Sequence, residues 1–173
     1  MSGANRMDIA LLLARLLFGL GLAGHSVQKL FGWFGGPGIA GAGAMFEKLG
    51  FRPGRFFALS AALTELAGAA LIVLGLLGPV GPALMVLIML VACAVVWSNG
   101  YFANRNGCEP AALYGMGGVL LAFTGPGRYS LDQLLGLMWL STAHTAWIAL
   151  GAALAGALVN IAARRRPRPE NTR

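Results

Sequence analysis

His25, Lys29 and Glu65 are ionisable side chains in segments that are otherwise almost wholly apolar. His25 and Lys29 stand in "GHSVQKLFGWFGGPG" (24–38), the exit of the first apolar run, and Glu65 stands in "ALTELAGAALIVLG". Charge at membrane depth is costly, so such residues point first to function. Glu65 lies about nine residues into its segment, His25 about six from the matching end of the first, and Lys29 about two. At about 1.5 Å per residue their depths differ by only about 5–10 Å. Side chains lean toward the N-terminus of their own helix, which lets His25 and Glu65 converge from antiparallel neighbours. Lys29 follows His25 at i+4 on the same face. Such a group can bind a polar headgroup or pass a proton, and it can equally be an ion pair that locks two helices. Trp33 and Phe34 beside it fit an interfacial belt and also offer rings for stacking.

The elements that must position these residues follow from composition. The chain has 173 residues, 57% hydrophobic and 11% charged, with a mean hydropathy of +0.71. Soluble domains carry about 25% charged residues, so this chain is a membrane protein. Its formal charge of +7 does not point to nucleic acid, because Arg164, Arg165, Arg166, Arg168 and Arg173 form a basic tail directly after an apolar run. Such a tail anchors topology on the cytoplasmic, anionic-lipid side. The N-terminus reads as a retained span, since Asp8 and Arg15 interrupt any signal-like core.

Five apolar segments are expected to span the membrane, over about 8–31, 56–78, 80–102, 110–124 and 143–163. The fourth is short for a hydrocarbon core of about 30 Å. After its "GPGRYS" stop, Ser130 and Gln133 open a capping-box helix over about 130–140 that lies at the interface. "MFEKLGF" (45–51) predicts a second interfacial helix in the long first loop. With five spans, Lys48, Arg52, Arg55, Arg105 and the tail share one side, which the positive-inside rule makes cytoplasmic, with the N-terminus outside. The expected location is the cell (inner or plasma) membrane.

The remaining polar residues divide by end. Asn99, Arg105 and Glu109 fall with the Glu65 group, and Glu109 before Pro110 reads as the N-cap of the fourth span. Arg15, Asp8 and Asp132 fall at the opposite end, where a structural ion pair is the preferred reading. His144, Trp97, Trp139 and Trp147 read as interfacial. "GLGLAG" (19–24) matches a dinucleotide fingerprint literally but lacks the strand that fingerprint requires, so its glycines serve helix packing; Gly151 and Ala155 offer a similar surface. Cys93 and Cys108 have no metal-ligand spacing, and a mostly helical connection would separate them by about 22 Å, too far for a disulfide. Cys108 at a helix start is a weaker redox candidate.

In order, "GHSVQKLFGWFGG", "FEKLGFRPGRFFALSAALTELAGAALIVLGL" and "NGCEPAALYGMGGVLLAFTGPGRYSLDQLLG" resemble the DoxX family of small membrane proteins over about residues 8–135. The resemblance implies a four-helix membrane bundle and an oxidoreductase role, the family being named from a subunit linked to quinone-coupled sulfur oxidation. It carries the family's polar positions onto His25, Lys29, Glu65, Glu109 and Asp132. The chain departs from the pattern in its fifth span with an Arg-rich tail, and in the cysteine before Glu109. The expected fold is therefore an all-α integral membrane protein: a four-helix DoxX-like bundle over 1–140, then a fifth C-terminal transmembrane helix and tail over 141–173.

Three functions are open at this point. One is the membrane subunit of a quinone-linked oxidoreductase system, with a lipid-soluble partner bound among His25, Lys29, Trp33, Glu65, Asn99 and Glu109. No haem, iron–sulfur, flavin or metal motif is evident, so a quinone is the cofactor expected and electrons come from a soluble redox partner at the cytoplasmic face. The second is a non-enzymatic scaffold that anchors a soluble enzyme there, in contact with membrane lipid and not nucleic acid. The third, a small-molecule or proton transporter, lacks the inverted repeats of that class.

Overall fold

The computed structural model describes residues 3–165; Arg166, Arg168 and Arg173 of the basic tail lie outside this range. Among the described residues the regular structure is helical throughout. The helices are α1 (Gly3–Phe31), α2 (Gly38–Lys48), α3 (Gly54–Leu74), α4 (Val80–Val96), α5 (Glu109–Thr124), α6 (Leu131–Leu134) and α7 (Ala143–Ala162). Four stretches are long and apolar enough to cross a membrane: Asn5–Phe31, Gly54–Leu74, Val80–Asn99 and Ala143–Ala162. The chain is thus a multi-pass membrane protein. Large apolar side chains such as Leu13, Leu17, Leu63, Leu66 and Leu158 point outward, as a helix facing lipid requires.

Small residues let the backbones approach. Ala58, Ala62, Ala69 and Ile72 recur at helical spacing on the buried face of α3, and that face lies along α1, where Ser26 Oγ donates to the Ala62 carbonyl at 2.8 Å. The core between the helices gathers Leu22, Ala69, Ile72, Met85, Met89 and Leu121. The "GLGLAG" glycines pack as expected: a β-carbon on Gly19 would press into Val73, and one on Gly21 would collide with the Tyr114 hydroxyl. Gly151, by contrast, has open space around it.

α5 has 16 residues, about 24 Å of helix, yet it runs from one end of the bundle to the other. Cys108, just before α5, meets Cys93 near the end of α4, while Arg128, shortly after it, meets Asp8 near the start of α1. The end of α7 returns to the first loop. Arg164 Nε donates to the Leu49 carbonyl at 2.6 Å and the Arg165 amide to the Gly50 carbonyl at 2.8 Å. The first loop and the end of α7 therefore meet at one end of the bundle. Gly50 is required here: its φ is +95°, and a β-carbon would strike the Arg165 carbonyl.

Several boundaries differ from the expected ones. The α-helix of the third segment, α4, ends at Val96, because the chain turns at Trp97–Asn99 and folds back through Ala103–Arg105. The first interfacial helix begins at Gly38, ahead of the amphipathic "MFEKLGF". The second is only four residues: Ser130 Oγ caps it by accepting from the Gln133 amide, but Gly136 at φ +70° breaks it and a separate turn follows at Met138–Leu140.

Candidate functional site: an ion pair in an apolar cavity

A cavity of about 350 Å³ lies at the first-loop end of the bundle. α2 contributes Met45 and Phe46 to its wall, with Leu49 just after it, and α4 contributes Leu87, Val91 and Val95. α3 adds Phe57, Ser60, Thr64 and Glu65, α1 adds Lys29, and α7 adds Asn160. The wall is mostly apolar, with its charge concentrated in one pair.

That pair is Lys29 and Glu65. Lys29 Nζ donates to Glu65 Oε1 at 2.5 Å and to Oε2 at 2.7 Å. Glu65 is 3% exposed and Lys29 20%. The Lys29 side chain folds back from the end of α1 toward the bundle interior, while Glu65 leans the other way along antiparallel α3, each toward the N-terminus of its own helix. Among the described residues this is the only ion pair. With two ammonium protons on the carboxylate, the third remains for a ligand.

The other polar groups of the wall bond locally. Thr64 Oγ1 donates to the Ser60 carbonyl at 2.8 Å, and Asn160 Nδ2 to the Gly156 carbonyl at 2.9 Å. The Asn160 carbonyl oxygen is left able to accept from a ligand. The sequence reading overlooked Asn160. An amide within an apolar twenty-residue helix was the signal available for it.

His25 is not part of the cavity wall. Four residues at about 100° each leave it about 40° around α1 from Lys29, so it faces α5, edge-on to Tyr114 at a ring distance of 6.0 Å. Trp33 is exposed and stacks on Phe31. Asn99 is exposed and donates to the Asn106 carbonyl. Glu109 is the first residue of α5, not its N-cap; Cys108 holds that place, and the Glu109 carboxylate accepts from the Ala103 amide at 2.8 Å. These two side chains brace the α4–α5 connection, away from the cavity.

The opposite end holds a second polar cluster, built differently from the expected ion pair. Arg15, 4% exposed, donates to the carbonyls of Ile72, Val73, Pro126 and Tyr129 at 2.6–2.9 Å. It adds a donor to the carbonyls at the end of α3 and ties them to the stop after α5. Asp132, fully buried, accepts from the Leu77 and Gly78 amides at 2.9 and 2.6 Å. Asp8 accepts from the Arg128 amide at 3.0 Å. The three side chains fasten the same end, but each bonds to backbone rather than to another charge, because helix ends and tight turns supply unpaired groups there.

Among the described residues no three His, Cys, Asp or Glu side chains gather as a metal-ligand set. The sequence model of the DoxX family matches residues 10–98, just over half of the chain. The match contains both members of the Lys29–Glu65 pair and stops short of α5 and α7. No curated protein and no solved structure matches the chain.

Proposed function

The chain belongs to the DoxX family, and from that premise we propose that it is the membrane subunit of a quinone-linked oxidoreductase system, binding its lipid-soluble partner in the Lys29–Glu65 cavity. The observation that carries this reading is an ion pair facing an otherwise apolar cavity of about 350 Å³. Ligand sites join apolar walls to a few converging polar groups. A quinone fits that character: its ring and tail suit Phe46, Phe57 and the aliphatic wall of α4, and its carbonyls accept hydrogen bonds.

A bound quinone supplies a two-electron, two-proton acceptor. The chain's own residues orient it and handle protons. Lys29 Nζ donates its free N–H to a carbonyl oxygen, and the Glu65 carboxylate holds or releases a proton beside it. Asn160 offers an acceptor from the far helix. α2 covers the cavity at the membrane edge and restricts water.

The positive-inside rule puts the first loop, with exposed Lys48, Arg52 and Arg55, on the cytoplasmic side of the cell membrane. A soluble redox partner then approaches from that face, with the cavity just beneath it.

The test is to purify the protein in mild detergent, extract bound small molecules and identify them by mass spectrometry, for wild type and Glu65→Gln. A quinone present in wild type and depleted at least about tenfold in the variant supports the reading. An empty wild-type cavity refutes it and leaves the ion pair as a lock between α1 and α3.

A further inference from the structure

α4 ends and α5 begins within a connection that doubles back on itself. The Cys108 amide bonds to the Gly100 carbonyl, Gly107 to Phe102 and Glu109 to Tyr101, so residue 108 returns alongside the last turn of α4. There the Cys93 thiol donates to the Cys108 carbonyl oxygen at 3.5 Å, which sets the two cysteines side by side. Both cysteines are free. The separation of about 22 Å expected from a mostly helical connection is overturned by this fold-back.

The two cysteines differ in access. Cys93 is half-buried, one turn from the end of a spanning helix, and Cys108 is 2% exposed behind it. Val91, Ala92, Val95 and Val96 of α4 line the cavity, whereas Cys93 meets residue 108 at the start of α5. The pair is therefore separate from the Lys29–Glu65 site and does not depend on what occupies it.

We propose that Cys93 and Cys108 form a dithiol that reduces a small-molecule disulfide, Cys93 attacking and Cys108 resolving. In the first step the Cys93 thiolate attacks one sulfur of R–S–S–R. A protein–S–S–R bond forms, the substrate S–S bond breaks, and the first RS⁻ leaves. In the second step the Cys108 thiolate attacks the Cys93 sulfur, closing Cys93–Cys108 and expelling the second RS⁻. The protein loses two electrons, and the protons of its two thiols end on the two RS⁻ groups. A small, partly apolar disulfide is the class that fits, since Cys93 lies within a spanning helix at the membrane edge, beyond the reach of a bulky protein.

The experiment treats the reduced full chain in mild detergent with dithiodipyridine and follows thiopyridone release and intact mass. Wild type releases two equivalents of thiopyridone and ends lighter by two hydrogens, with no adduct and no cross-linked dimer. Cys108→Ser releases one equivalent and keeps a stable mixed disulfide on Cys93. Cys93→Ser reacts at least about tenfold more slowly, its remaining thiol being buried. Wild type that keeps a pyridyl adduct, dimerises or fails to react overturns the proposal. Helical content and elution profile confirm that the variants are folded, and the wild-type mass decides the matter where a variant is not.

Discussion

Lys29 Nζ sits within 2.7 Å of both carboxylate oxygens of Glu65, although Lys29 is two residues from the end of α1 and Glu65 is in the middle of α3. The lysine reaches inward where an interface anchor would reach out to water. The pair thereby joins two helices and charges one point of an apolar wall.

Glu65→Leu leaves the Lys29 ammonium beside that wall without its partner and should lower stability by about 3 kcal/mol. Lys29→Met together with Glu65→Leu removes both charges and should recover most of the loss. Thermal unfolding in one detergent for the two single variants and the double variant gives the coupling energy.

Arg15→Met removes four side-chain bonds to carbonyls and should cost about 3 kcal/mol or more, whereas Asp8→Ala removes one exposed bond and should cost about 1 kcal/mol at most. An Arg15–Asp8 ion pair would make the two losses similar. Unfolding midpoints of the two variants separate these cases.

Gly50→Ala places a β-carbon against the Arg165 carbonyl in a left-handed turn. It should loosen the end of α7 and raise protease cleavage in the first loop, with a loss of about 1–3 kcal/mol. Arg164→Ala gives up one charged hydrogen bond and should cost about 1–2 kcal/mol. Limited proteolysis with thermal unfolding reads both.

His25→Ala should leave retention of the cavity's ligand within about twofold of wild type, because His25 faces Tyr114. Asn160→Leu removes a polar group from the cavity wall and should lower retention at least about fivefold, a loss of about 1 kcal/mol of binding. Mass spectrometry of the extracted ligand measures both.

Depth was legible in the sequence and rotation was not. Counting residues from the ends of two apolar runs places His25, Lys29 and Glu65 at similar levels, but an offset of about 40° around α1 decides that Lys29 meets Glu65 and His25 meets Tyr114. Helix existence was equally legible, since periodic apolar runs follow from local composition. Loop paths were not. The fold-back between Val96 and Glu109 depends on backbone bonds such as Cys108 to Gly100, and no spacing rule carries those. Arg15 and Asp132 were rightly grouped at one end, but free carbonyls and amides at helix termini compete with opposite charges as partners, and here they win. Asn160 escaped notice because an amide carries no charge to mark it in an apolar helix.

The contacts of Arg164 and Arg165 with Leu49 and Gly50 also bear on biosynthesis. A ribosome delivers the first loop early and α7 more than ninety residues later. Until α7 is inserted, Leu49 and Gly50 lack these partners and the cavity lacks the side held by Asn160. The pocket between the earlier helices is thus completed by a helix that leaves the translocon well after them. A nascent chain halted before α7 would carry the Lys29–Glu65 pair in a groove open to lipid, so the cavity closes only once α7 is in place.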